Sequence, residues 1–294
     1  MFDRLFSTFS LVSRIPPGRR FAFDPSRIDF WLPVVGVVPA LLVALALVAL
    51  ALAGDIPGRH PFLAAAVSLA VQYLCFNLFH LDGLMDTADA FLGTCTGERR
   101  LAIMKDSRVG VYGFFAGFAS LALKLALLEA LLSGWYDFSG LAVACAFPIV
   151  GRFAAALVPC LSPPAPGSGM GRLMEGARWW RCIGGGVLAF ALWMLFVFGA
   201  YCATGFASDA ASPSWAEAGA WFAAELSEWL GGLAAWGAPL ASLAVLAPLT
   251  ALFYARLFRR GVGGYTGDAL GAAVETGELL ALSASFLALD VWGV

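Results

Sequence analysis

The chain has 294 residues, 61% of them hydrophobic and 13% charged, against roughly 45–50% and 25% in ordinary soluble domains. So much apolar surface cannot be hidden inside a water-soluble globule of this size, so the chain belongs in a bilayer. A formal net charge of -2 gives no basic excess and argues against nucleic acid as a partner.

Residues 1–30 carry five arginines and lack the apolar core of a signal peptide. Phe2, Leu5, Phe6, Phe9 and Val12 recur at helical spacing, which predicts a short amphipathic helix lying on the cytoplasmic surface. A span needs roughly 20 mostly apolar residues. Seven stretches qualify: Leu32–Ala53, Phe62–Phe79, Val111–Leu132, Phe138–Leu161, Ile183–Thr204, Leu233–Tyr254 and Ala269–Leu289. The second is short and carries Gln72, Tyr73 and Asn77. Glu275 and Glu278 interrupt the seventh, so six spans plus a re-entrant segment is the alternative. The expected architecture is all-α and polytopic, with about seven transmembrane helices. Residues 1–294 form one membrane-embedded catalytic domain, with 1–30 as its basic N-terminal segment. The 6 cysteines form no Cys-x-x-Cys pair and read as free thiols.

The cations set the orientation. Of the 18, five precede the first span (Arg4, Arg14, Arg19, Arg20, Arg27). Arg99, Arg100, Lys105 and Arg108 follow the second, Arg172, Arg178 and Arg181 the fourth, and Arg256, Arg259 and Arg260 the sixth. The opposite loops hold only Arg59, and loop 205–232 has Asp209, Glu217, Glu225 and Glu228 with no base. The positive-inside rule makes the N-terminus and the cation-rich loops cytoplasmic. Trp179 and Trp180, and Trp215, Trp221 and Trp229 in the outer loop, fit interfacial belts.

The second span runs into His80-Leu-Asp82-Gly-Leu-Met-Asp86-Thr-Ala-Asp89. At about 100° per residue the aspartates point to roughly 0°, 40° and −20°, one face. Like charges on one stripe repel, and carboxylates at membrane depth cost more. Oxygen-only donors suit a hard ion, Mg²⁺ or Mn²⁺; the bland alternative is a solvated helix face. Lys105 and Arg108 flank Asp106 nearby, a grouping that suits Mg²⁺ with a di- or triphosphate, though the cations also serve as plain membrane anchors. His80 is either a base for an incoming hydroxyl or a hydrogen-bonded structural histidine.

Further on stands Gly263-Gly-Tyr-Thr266-Gly267-Asp268-Ala-Leu-Gly271. Gly267 and Gly271 allow close approach of a neighbouring helix, and Thr266 can cap the helix that follows. Asp268 and Glu275 share a face. Each acid at mid-span costs roughly 2.5–3.5 kcal/mol, so a metal, a substrate or a cation such as Arg152 or Lys124 must compensate. Arg152 and Lys124 are the two cations inside spans and read as phosphate contacts or internal ion-pair partners. Loop 162–182, rich in Pro and Gly, is a connector or a cover for a large substrate.

The aspartate stripe, together with Glu98-Arg-Arg-Leu-Ala-Ile-Met-Lys105-Asp106-Ser-Arg108-Val-Gly-Val-Tyr-Gly113, resembles the cobalamin synthase family of adenosylcobinamide-GDP ribazoletransferases. The similarity extends to Arg14-Ile-Pro16, Leu32-Pro-Val-Val-Gly36, Lys124 and Gly264-Tyr-Thr-Gly-Asp268. The resemblance implies an integral, Mg²⁺-dependent enzyme of the bacterial inner membrane with its site on the cytoplasmic side. Such an enzyme joins adenosylcobinamide-GDP to α-ribazole or its 5′-phosphate and releases GMP. Carried onto this chain, Asp82, Asp86, Asp89 and Asp106 match the metal-binding acids, with Asp82, Asp86 and His80 as catalytic groups. Lys105 and Arg108 lie at the pyrophosphate, and Lys124, Arg152, Thr266 and Asp268 complete the substrate contacts. The implied partners are the two substrates and membrane lipids, with self-association left open. A CDP-alcohol phosphotransferase is the nearest rival, but the Ala-Arg after its Asp-Gly is missing here. A cation transporter using Asp82, Asp86, Glu275 and Glu278 is the other.

Overall fold

A computed structural model describes residues 2–18, 20–134, 145–208 and 237–292. In chain order the main helices are α1 (Phe2–Val12), α2 (Ile28–Leu52), α3 (Pro61–Leu92), α4 (Glu98–Ile103), α5 (Val111–Gly134), α6 (Phe147–Leu161), α7 (Trp179–Ser208), α8 (Gly237–Val262) and α9 (Gly267–Trp292). No strand occurs among the described residues, only an isolated bridge between Pro164 and Tyr265. Six of these helices, α2, α3, α5, α7, α8 and α9, are long and apolar enough to cross a membrane. The chain is a polytopic helical membrane protein.

Two elements differ from the expected spans. The seventh is a continuous helix of 26 residues that includes both glutamates, because partners described below neutralise them. The short apolar element is instead α6, of 15 residues. The expected start of that span at Phe138, and the outer loop with Trp215, Trp221 and Trp229, lie outside the described residues.

α6 sits at the centre, buried along nearly its whole length, and packs most extensively on α9. Small residues make that contact close: a Cβ on Gly151 would lie 2.6 Å from the Val274 carbonyl oxygen, and one on Gly277 would lie 3.0 Å from the Gly151 Cα. With no hydrophobic drive between helices in lipid, such backbone proximity is what packs them.

The amphipathic N-terminal helix forms, but the protein holds it. Phe9 packs edge-to-face on Phe76 with centroids 5.6 Å apart. The Arg14 N–H donates to the Cys75 carbonyl at 2.8 Å, inside a π-helical turn, Tyr73–Asn77, of α3. Arg4 pairs with Asp24 at 2.9 Å, and the Asp24 N–H donates to Ser7 Oγ at 2.8 Å. The polar Ser7 and Thr8 are therefore buried against the bundle.

Candidate active site

α3 and α9 cross through two glycines. A Cβ on Gly83 would lie 3.0 Å from the Asp268 Cα, and one on Gly271 would lie 2.9 Å from the His80 carbonyl oxygen. Gly271 thus serves the close approach its sequence suggests, whereas a Cβ on Gly267 would meet nothing within 4 Å. The π-helical turn lies upstream, so Leu78–Leu92 is regular α-helix and the aspartate stripe stays on one face. The crossing lays Asp268 beside that stripe. Asp86, half-buried, lies within electrostatic reach of Asp82, Asp268 and Asp89. Asp82 is exposed and also acts on Asp268.

Thr266 organises the start of α9. Its hydroxyl donates to Asp268 Oδ2 at 3.1 Å and accepts the Ala269 N–H at 3.4 Å. A cavity of about 600 Å³ opens here, lined by Thr266, Gly267, Asp268, Lys105, Leu101, Met104 and the loop Pro166–Gly169. Lys105, Thr266 and Asp268 therefore share one wall system. Tyr265 staples the loop over it: the Ala165 N–H donates to the Tyr265 carbonyl at 2.8 Å, the Tyr265 N–H donates to the Pro163 carbonyl at 2.9 Å, and the Tyr265 hydroxyl donates to the Gly171 carbonyl at 2.8 Å. Burial pushes the Tyr265 phenol up, so it remains a donor at neutral pH. Sequence reasoning gave Tyr265 no role; a tyrosine between a glycine pair and a helix cap is a turn residue whose long-range partners leave no local signal.

The remaining acids engage protein groups. Asp89 accepts the Gly110 N–H at 2.7 Å and the Gly113 N–H at 2.8 Å. It thereby caps α5 from another helix, where the dipole favours an anion. Asp106 is bound bidentately by Arg108, with Nη2–Oδ2 at 2.6 Å, and these hydrogen bonds hold its carboxyl down at about 2.

Lys124 and Arg152 sit deeper. Lys124 Nζ lies 2.8 Å from Glu275 and 2.6 Å from Glu278, and Arg152 pairs with Glu278. Tyr73 donates to Glu275 at 2.6 Å, Asn77 to Glu278 at 2.8 Å and Gln72 to Glu278 at 3.1 Å. Both ion-pair sets are 0% exposed. Two cations meet two anions, so the intramembrane charge balances without substrate. These partners also explain the polar residues that shorten the second span in sequence, and they remove Glu275 and Glu278 from any open ion path.

Among the described residues, no three Asp, Glu, His or Cys side chains are gathered tightly enough to cage an ion. That agrees with Mg²⁺ chemistry, which uses one or two carboxylates plus phosphate oxygens and water rather than an all-protein cage. Asp82, Asp86 and Asp268 supply the right hard oxygens. Among the described residues none of the three makes an ion pair.

The family described as cobalamin-5-phosphate synthase matches residues 4–286. The chain is 33% identical over 276 residues to the adenosylcobinamide-GDP ribazoletransferase of Bradyrhizobium diazoefficiens, covering 93% of this chain and 89% of that protein. It is 31% identical to the one from Escherichia coli O17:K52:H18, covering 97% and 99%. It is 30% identical to the one from Desulfitobacterium hafniense, covering 96% of each. No solved structure matches the chain significantly.

Proposed function

The chain belongs to the cobalamin-5-phosphate synthase family, and from that premise we propose that it is an adenosylcobinamide-GDP ribazoletransferase of the bacterial inner membrane. A ribazole hydroxyl oxygen forms a bond to the cobinamide-side phosphorus. The bond from that phosphorus to the bridging oxygen breaks, and GMP leaves with its electron pair. The acceptor is α-ribazole or its 5′-phosphate.

The observation that carries this reading is the α3–α9 crossing, which sets Asp82, Asp86 and Asp268 beside the cavity that contains Lys105. Catalysis of phosphoryl transfer is mostly positioning and charge neutralisation. Asp82 and Asp86, with Asp268, would hold Mg²⁺, which when bound neutralises the non-bridging phosphate oxygens. Lys105, exposed on the cavity wall, meets the pyrophosphate. Arg108 follows by exchanging Asp106 for phosphate, since its side chain is 88% exposed. A carboxylate of the cluster takes the proton from the attacking hydroxyl. Thr266 orients Asp268, and the loop stapled by Tyr265 limits water. Lys124 and Arg152 act beneath the site as the charge balance of its supporting helices.

The loops that carry Arg99 to Arg108 and Arg256 to Arg260 adjoin this site, so the positive-inside rule makes it cytoplasmic. The test is direct. Purified protein in detergent is incubated with adenosylcobinamide-GDP, α-ribazole and Mg²⁺, and GMP is measured. GMP appears, and EDTA abolishes it; release of CMP from a CDP-alcohol instead, or metal flux without nucleotide, would overturn the reading.

A further inference from the structure

A second cavity, of about 550 Å³, adjoins the first and shares Gly267 with it. It lies between α1, α2, α3, α6, the 170–174 turn and the start of α9. Its walls are almost wholly apolar, Leu11, Val12, Leu32, Leu173, Leu270 and Val274 among them. The exception is His80, which is 2% exposed and whose Nδ1 has no hydrogen-bond partner. Buried polar atoms are nearly always paired, and an unpaired one costs about 1–3 kcal/mol. Nor is this imidazole free to turn away. Its backbone is pinned against Gly271, and its ring lies against Phe79 with centroids 4.4 Å apart.

The size falls in the ~300–1,000 Å³ range of small-ligand sites. One polar atom in an apolar box selects a ligand with a flat hydrocarbon body and one exposed polar edge. A guanine base, with polar groups on most of its rim, would be left with unmet hydrogen bonds. A corrin ring with its amide arms is too large. Resting on the ribazole transfer proposed above, we infer that this cavity receives the apolar aromatic N-heterocycle of the acceptor. His80 Nδ1–H donates to the unsubstituted ring nitrogen. The shared edge at Gly267 lets the attached ribose emerge beside Asp268 and the phosphate cavity, and the missing side chain there leaves the passage open.

Two variants test this. Leu270→Trp fills the cavity, and His80→Phe keeps an aromatic ring but removes the donor. The KM for α-ribazole rises about tenfold or more in each, while the KM for adenosylcobinamide-GDP stays within about twofold. Wild-type protein prefers α-ribazole over an indole nucleoside that lacks the ring nitrogen, and His80→Phe loses that preference. Equilibrium dialysis of α-ribazole without the corrinoid substrate gives a readout separate from turnover: wild type binds it, and Leu270→Trp binds it at least about tenfold more weakly. An unchanged α-ribazole constant in Leu270→Trp, or a shift in the corrinoid constant alone, overturns the assignment. Absence of GMP release from wild type would overturn the transferase reading, and the dialysis would still decide this one.

Discussion

Asp82, Asp86 and Asp89 share one stripe of α3 but meet different surroundings. Asp86 faces other acids, whereas Asp89 holds two backbone N–H groups at the start of α5. The two should therefore fail differently. Asp86→Ala lowers GMP release by about 10²-fold or more and leaves the thermal unfolding temperature in detergent unchanged. Asp89→Ala removes a helix cap, costs about 1 kcal/mol, and lowers that temperature. A second contrast concerns pH. Hydrogen bonds from Ser26 and Arg4 hold the Asp24 carboxyl at about 2, below its usual 3.8. A depressed carboxyl stabilises the fold above its unfolded value and loses that contribution as pH falls through the folded value. The docking of α1 should thus persist from pH 7 to pH 4 and weaken toward pH 2, as read by limited proteolysis with an acid-active protease.

At the scale of elements, the site depends on how near two backbones come. Gly271→Val puts carbon into a space already closed by the His80 carbonyl. The expected cost is about 1–3 kcal/mol, with loss of GMP release as Asp268 moves from the stripe. Thermal unfolding and turnover measured on one sample check both. The loop over the cavity hangs on Tyr265. Tyr265→Phe removes the hydroxyl that reaches Gly171, costs about 1 kcal/mol, and raises substrate KM more than it lowers kcat. The crossing was half legible: the spacing of Gly267 and Gly271 announced a close helix contact, but the glycine that meets the partner, Gly83, sat unremarked between two aspartates.

Across the whole molecule, the buried network of Lys124, Arg152, Glu275 and Glu278 joins α3, α5, α6 and α9. Removing one member strands a charge in a dry interior, which costs about 3–5 kcal/mol. Lys124→Met should therefore yield little folded protein by size-exclusion chromatography. Lys124→Met combined with Glu275→Gln, which restores neutrality, should recover much of it. In sequence this network read equally well as phosphate contacts, because an intramembrane cation looks the same whether it waits for a ligand or already holds a partner.

Composition, apolar run length and cation alternation are properties of the chain read along its own length, so the sequence alone determined that it lies in a membrane and how its helices are spaced. The aspartate stripe is equally local, since helix geometry fixes which side chains share a face. The division of labour among the charges is not local. Which acid caps a helix, which pair neutralise each other and which stay unpaired beside a cavity depends on residues up to about 200 positions apart meeting in space. Electrostatic energy is a function of distance and burial, and only the packed helices supply those.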